Sequence, residues 1–267
     1  MSIITISRGT LSGGKMFAES LSARLGYRCI DRDALIERVV TRRASQQDLL
    51  AAMQAPPAAS GRFDHNRYVR LALIQAALME EVRCGKAIYH GLAGHELLKK
   101  APALLRVRII APLDLRIRMA RERRKLGPDE AIAYIHKMDE DRRKWTQFLY
   151  GVDWQDASQY DFVINLERLS IDQGCEAVAA VVERHDFEFT PESQAIMNDL
   201  TLASRARADL ALDPFTSNLE VEVEAQGGSV CVRGSHFEQA EEVERVVRSL
   251  PGVVSVRFEE SAEAPTA

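Results

Sequence analysis

The feature that most constrains this chain is a glycine-rich turn between two hydrophobic segments of different period. "IITIS", residues 3–7, is β-branched and continuous, while "KMFAESLSARLG", residues 15–26, places Phe17, Ala18, Leu21 and Leu25 on one helical face. Gly26 then ends the helix. Between the two, Gly9, Gly14 and Lys15 hold the spacing G-x-x-x-x-G-K of a phosphate-binding loop. Glycines let successive backbone N–H groups turn inward on phosphate oxygens, and the helix that follows adds the positive end of its dipole. The spacing assigns Gly9, Thr10, Leu11, Ser12, Gly13, Gly14, Lys15 and Met16 to nucleotide binding. Lys15 would reach the β and γ phosphates, where charge shifts during transfer. The alternative is an ordinary strand-to-helix turn with a solvent-facing lysine. One position departs from the pattern: Met16 stands where such loops carry the Ser or Thr that ligates Mg2+. Thr10 or Ser12 would reach a metal only with a shifted geometry.

"YRCI" is a second strand and runs into "DRDALIERVV". "AAMQAPPAASGRF" (51–63) reads as a loop or flap, and residues 66–83 repeat apolar side chains at helical spacing. "KAIYHG" (86–91), "LLRVRIIAP" (104–112) and "YDFVIN" (160–165) are further strands. Residues 113–125 and 128–148 are two charged helices separated by "LGP", and Ile171, Cys175, Val178, Ala179 and Val182 mark another amphipathic helix. Five short strands alternating with helices predict an α/β fold with a parallel sheet covered on both faces. After residue 187 the pattern changes. A helix entered through Thr190 and Pro191 precedes "LEVEVEAQGGSVCVRGS", which alternates with period two around a Gly-Gly turn. A helix "EQAEEVERVVRSL" and a strand "VSVRFEE" follow. We divide the chain into a domain at 1–187, a small α+β domain at 188–260 and a disordered tail at 261–267.

Composition narrows the function classes. A net charge of −4 over 267 residues gives no global argument for nucleic acid, and no DNA partner is expected, although "RIRMARERRK" concentrates positive charge. Cys29, Cys84, Cys175 and Cys231 are far apart and form no C-x-x-C pair, which argues against zinc and disulfides and for a reducing compartment. No apolar run approaches a membrane span and no export signal is recognisable, so the expected location is cytoplasmic. His90 and His95 flank a glycine turn with Glu96 as the nearby carboxylate; they read as structural, and no metal-binding residue is assigned.

The segments "ITISRGTLSGGKMFAESLSARLGY", "IDRDAL", "KAIYHGLAGHELL", "VRIIAPLDLRIRMARER" and "KMDEDRRKWTQFLYGVDWQDASQYDFVINLERLSID" resemble, in order, the cytidylate-kinase-like family. This is a branch of the phosphate-loop nucleoside monophosphate kinases, and the likeness covers most of residues 3–183. It implies a phosphate-loop kinase fold with a five-stranded parallel sheet and a helical lid. It further implies ATP binding at Gly9–Met16, a monophosphate-binding flap within about residues 35–85, and an arginine-bearing lid between 113 and 148. Arg116 and Arg121 match the arginines at the start of such a lid, and Arg142, in "DEDR", matches one at its end. Lys15, Arg121 and Arg142 would stabilise the transferring group. Arg123, Arg124 and Lys125 read as a solvated helix face. Asp33 stands where the family places a residue facing the acceptor, although Asp31 beside it reads equally as a helix cap.

The resemblance implies ATP as donor with Mg2+ as its companion, and Met16 puts the metal in question. The family's "GR" plus a small or acidic residue, which grips the acceptor and helps hold the metal, is replaced by Gly91-Leu92-Ala93-Gly94. The expected function is ATP-dependent phosphoryl transfer to a nucleoside monophosphate or similar small acceptor. Two alternatives stay open: a nucleotide-binding sensor with little turnover, and an adaptor that uses the kinase fold as a scaffold. Residues 191–260 resemble a BON domain through "LEVEVEAQGGSVCVRGS", "EQAEEVERVV" and "LPGVVSVRF", with Gly228, Gly234 and Gly252 at its turns. That module implies a phospholipid or protein partner. The acidic helix 238–244 would be repelled by anionic lipid, which favours protein contact or self-association. His236, the module's one imidazole, reads as a surface residue.

Overall fold

The structure, a computed structural model, describes residues 2–40, 65–91, 93–234 and 239–260. Residues 41–64, which include the loop or flap expected at 51–63, Leu92, His236 and the tail 261–267 therefore lie outside the described residues. In chain order the first part comprises β1 (Ile3–Arg8), α1 (Gly14–Leu25), β2 (Arg28–Asp31), α2 (Arg32–Val40), α3 (His65–Val82), β3 (Ala87–His90) and the single turn α4 (Gly94–Leu97). It continues through β4 (Leu104–Ile110), α5 (Leu113–Arg124), α6 (Pro128–Tyr150), β5 (Phe162–Asn165) and α7 (Ile171–Val182). Then come α8 (Pro191–Leu212), β6 (Val221–Gln226), β7 (Ser229–Gly234), α9 (Ala240–Arg248) and β8 (Ser255–Glu260).

The first five strands form one sheet in the order β2-β3-β1-β4-β5, and every neighbouring pair is parallel. β1 is therefore central, which explains why "IITI" carries no exposed position. Ile3 enters the core on one face, while Ile4 and Ile6 enter the core on the other. Parallel strands need helical crossovers, and these cover both faces. Phe17 and Leu21 of α1 and Cys175, Val178 and Val182 of α7 pack on Ile4, Ile6 and Val107. Leu35 and Ile36 of α2 and Ile74, Leu78 and Val82 of α3 pack on Ile3, Ala87 and Tyr89. The α/β architecture with a five-stranded parallel sheet is as the sequence predicts.

The two charged helices α5 and α6 keep a small core of their own. Ala120, Ala131 and Ile135 are buried there, with Leu11 of the glycine loop among the side chains packed around them. α6 starts with Pro128 in its first turn, and the Glu130 carboxylate accepts from the Gly127 N–H at 2.9 Å. Further along the same helix, Trp145 is buried in the core beneath α2 and α3, so α6 is anchored to the body at one end.

A second sheet holds β6, β7 and β8 in that order. β6 and β7 are antiparallel, and β8 is parallel to β7. The hairpin turns on Gly227 and Gly228, with φ of +55° and +83°, the left-handed pair that a two-residue primed turn requires. α8 serves two cores. Met197 belongs to the first, whereas Leu202, Ala206 and Leu210 pack with Val221, Val230 and Val232 of the second sheet. No helix among the described residues is long and apolar enough to cross a membrane.

Candidate functional site

The site forms at the carboxyl ends of the central strands, where β1 hands over to α1. Gly13 has φ +88°, a left-handed step that places the first turn of α1 directly after the loop. Ser12 Oγ lies 3.0 Å from both Gly9 O and Ile109 O, and the Gly9 N–H donates to Ile109 O at 3.3 Å. Ser12 thus braces the loop against β4 from inside. It is buried and is not turned toward a ligand, which removes it as a substitute for the hydroxyl missing at Met16.

Thr10 is engaged on every polar atom by the lid. Its N–H donates to Asp139 Oδ1 at 2.9 Å, and its carbonyl accepts from Arg116 Nε at 2.8 Å. Its hydroxyl accepts from Arg142 Nη1 at 3.1 Å, and the same guanidinium nitrogen donates to Arg8 O at 3.0 Å. Asp139 completes the network by pairing with Arg116 and, at 3.4 Å, with Arg142. Burial works against the Asp139 charge, but the hydrogen bonds from Arg116 and Thr10 outweigh it and hold the carboxyl below its usual range. Burial, with Arg8 adding to it, lowers Arg142 to about 10, which leaves it charged at neutral pH.

The other predicted residues are placed differently. Lys15 is half-exposed on the first turn of α1, 3.8 Å from Glu19 one turn on. Arg121 is exposed, and its side chain makes no hydrogen bond or ion pair among the described residues. Arg123, read as part of a solvated face, reaches the loop instead, with Nη2 2.7 Å from Met16 Sδ. Asp33 is exposed and pairs with Arg32 at 2.9 Å, while Asp31 Oδ1 accepts from the Ala34 N–H at 2.7 Å and caps α2.

Arg8 and Tyr89, without an assigned role in the sequence reading, and His90, read there as structural, stand at the carboxyl ends of β1 and β3. The Arg8 stem lies across the start of α1, so a Cβ on Gly14 would come within 2.5 Å of Arg8 Cδ. Its Nε is buried without a hydrogen-bond partner among the described residues. Tyr89 is fully buried with its hydroxyl likewise unpartnered, and its ring occupies the space a Cβ at Gly91 or Gly94 would need. His90 is buried with Nδ1 unpartnered; burial, and after it Arg8, lowers its pKa to about 4. His95 is also lowered to about 4, by burial and then by Arg106 and Arg108, and packs on Tyr160 at 4.9 Å between ring centroids. Among the described residues no three His, Cys, Asp or Glu side chains are grouped to hold a metal. The signals for Asp139 and Arg8 were present but unspecific: a carboxylate three residues before Arg142 on one helix, and a cation ending an otherwise apolar strand.

The arrangement can cradle a phosphate chain on the loop, with lid guanidiniums held against its backbone. The pattern of the cytidylate kinase-like family matches residues 3–168. A cytidylate kinase of Methanothrix thermoacetophila is 28% identical over 168 residues, spanning 62% of this chain and 89% of that protein. A cytidylate kinase of Sulfolobus acidocaldarius is 25% identical over 186 residues, spanning 68% and 94%. The crystal structure of an uncharacterized protein from Eubacterium ventriosum superimposes with a TM-score of 0.53 at 19% identity, over 69% of this chain and 100% of that one, a likeness of fold.

Proposed function

Because this chain belongs to the cytidylate kinase-like family, we propose that it transfers the γ-phosphoryl group of ATP to a nucleoside monophosphate or a similar small phosphorylated acceptor. The observation that carries this reading is the network joining Thr10 of the loop to Asp139, Arg116 and Arg142 of the lid. It holds two guanidiniums at the edge of a phosphate-binding turn, where charge develops in the transfer. In the reaction an acceptor phosphate oxygen forms a bond to the γ-phosphorus. The bond from that phosphorus to the β–γ bridging oxygen breaks, and ADP leaves with the electron pair. The attacking oxygen is already ionised at neutral pH, so no protein base is required.

In this reading residues 9–16 hold the triphosphate, Lys15 stabilises the transferring group, and Arg142 approaches it from the lid. Arg121, without a partner among the described residues, joins when the lid closes, and Asp33 faces the acceptor. Magnesium is implied by the family, but the residues present do not fit a protein-held ion. Met16 presents a thioether, Ser12 is bonded inside the loop, and Asp139 is bonded to two arginines. No step is therefore assigned to a metal ligand of the protein. The same observation favours a second reading, a nucleotide-binding sensor with little turnover. Residues 188–260 enter as a BON-like module that contacts a protein partner or a second copy.

Calorimetric titration with ATP, with and without Mg2+, followed by an ADP-release screen over monophosphates, tests the proposal. Release stimulated by one acceptor supports the kinase and identifies its substrate. Tight ATP binding with no release for any acceptor supports the sensor.

A further inference from the structure

We propose that Arg8 is the anion-gripping residue of the acceptor subsite, holding the phosphate group of the acceptor in the crevice between the carboxyl ends of β1 and β3. This rests on the kinase reading above and adds to it a location and a residue.

The crevice is where the chain reverses its direction of travel across the sheet. From β1 the chain passes to β2 at one edge and returns through β3, then crosses to β4 on the other side of β1. In open parallel sheets, ligands settle at such a switch point, outside the carboxyl ends of the strands. Arg8 is the last residue of β1 and His90 the last of β3, so both side chains belong to this edge.

The chemistry singles out Arg8 among the cations there. Arg32 is paired with Asp33, Arg142 donates to Arg8 O, Thr10 and Asp139, and Lys15 lies near Glu19. The Arg8 side chain makes no hydrogen bond or ion pair among the described residues, although its Nε is buried. Burying an unpartnered guanidinium is costly, and an anion offsets that cost. Its direction is set by packing, since its stem is wedged against the backbone of Gly14.

Two further buried polar atoms at the carboxyl end of β3 lack partners among the described residues, on opposite faces of the sheet. Tyr89 packs in the core of Ile3, and His90, two residues on from Ile88, shares the face of the other core. Tyr89, 0% exposed, and His90, 4% exposed, bury a hydroxyl and Nδ1 with no hydrogen bond made to either. Both residues lie in the field of Arg8. The charged groups around them are Arg8, Arg32 and Lys15 against Asp31, Asp33 and Glu19. Asp31 is turned to the Ala34 N–H and Asp33 to Arg32; both act on Arg8 at a distance, and neither bonds its guanidinium. The sequence after β3, Gly91-Leu92-Ala93-Gly94, contributes no cation of its own. A phosphate that accepts from the guanidinium fork satisfies the cation left open.

The test is calorimetric titration of the full chain, as wild type, Arg8→Met and Arg8→Lys, with ATP and separately with CMP, cytidine and ribose 5-phosphate. Arg8→Met is expected to weaken CMP binding at least tenfold and to leave ATP binding within about threefold. Arg8→Lys keeps the stem and the charge but loses the fork, and is expected to fall between. Binding of ribose 5-phosphate that depends on Arg8 would mark a phosphate site indifferent to the base, while an effect confined to CMP would mark a nucleotide site; either supports the proposal. Equal CMP affinity in wild type and both variants overturns it, as does a wild type that binds neither phosphate compound, or an Arg8→Met that weakens cytidine as much as CMP. Arg8-dependent CMP binding in a protein that fails to bind ATP would leave this assignment standing and overturn the kinase reading. Should Arg8→Met fail to fold, the lysine variant alone decides.

Discussion

On the lid side of the crevice, Thr10 donates its N–H to Asp139, accepts at its carbonyl from Arg116 and accepts at its hydroxyl from Arg142. On the β3 side of the same loop, Arg8, Tyr89 and His90 bury polar atoms that meet no partner among the described residues. The two arrangements sit at the ends of adjacent strands and differ in what completes them. The lid network is closed by the protein's own side chains, so it contributes to stability and fixes the loop. The β3 side carries buried polar groups that each cost about 1–3 kcal/mol while unpaired.

The comparison breaks most visibly at Lys15, which belongs to neither set and is half-exposed. Lys15→Met should lower ATP-dependent turnover by about 10²–10³-fold, the scale of removing one preorganised charge from a transition state. Urea unfolding should shift by less than about 0.5 kcal/mol, since the substitution breaks an exposed ion pair with Glu19 and leaves the core intact. Acceptor-stimulated ADP release that survives the substitution would mean that transfer does not pass through this loop.

Asp139 tests the closed side. Asp139→Ala leaves Arg116 and Arg142 facing each other without their carboxylate and leaves the Thr10 N–H unpaired. Breaking a buried pair by removing one partner costs about 3 kcal/mol. A loss below about 1 kcal/mol in the urea midpoint would show that the lid network is an incidental contact. The effect should carry over to ATP affinity, because the loop loses its outer brace.

Acidification compares the sides through two histidines. His90 and His95 are held neutral in the folded chain, with pKa values lowered to about 4, whereas the unfolded chain binds protons near pH 6.5. The unfolded state therefore takes up more protons between these values. Stability must fall as pH drops from about 6.5 and level off near 4. The full loss is on the order of 3 kcal/mol for each histidine. His90 answers to Arg8, Asp31, Lys15 and Glu19, while His95 answers to Arg106 and Arg108 on the far side. His95→Gln should remove about half of the acid limb measured by urea unfolding. An unchanged limb would exclude His95 as a contributor.

The sequence revealed the closed side better than the open one, for a physical reason. Strand, loop and helix at residues 3–25 announce themselves through local period, and so does the Gly227-Gly228 hairpin. Asp139 and Arg142 share a helix face three residues apart, but their meeting with Thr10 joins positions 129 and 132 residues apart. Arg116 and Arg121 show the limit of pattern reading: five residues on a helix separate them by about 140° around the axis. One therefore reaches the loop and the other faces solvent. Arg8 gave only an unspecific signal, Tyr89 none, and His90 read as structural, because what distinguishes them is a missing partner, which only the packed surroundings define. The sequence places α8 wholly in the second unit, whereas its apolar residues serve two cores in succession, an assignment that local pattern cannot make.

The smallest expected effect returns to Met16. Its side chain is 37% exposed, so Met16→Ser should change stability by less than about 0.5 kcal/mol. The substitution puts a hydroxyl where a metal-bound nucleotide would present its cation, and it removes the sulfur that Arg123 Nη2 now touches at 2.7 Å. If the absence of that hydroxyl limits metal use, ATP affinity should become a few-fold more sensitive to Mg2+ in the variant than in the wild type. The comparison is made by calorimetry with and without the ion. Arg123→Met should leave the Mg2+ sensitivity at its wild-type value if the arginine only covers the sulfur. If the guanidinium supplies the charge that the loop lacks, Arg123→Met should weaken ATP binding without Mg2+ and have less effect with it. Equal Mg2+ sensitivity in wild type and Met16→Ser would mean that the ion is held by the nucleotide alone and that position 16 plays no part in it.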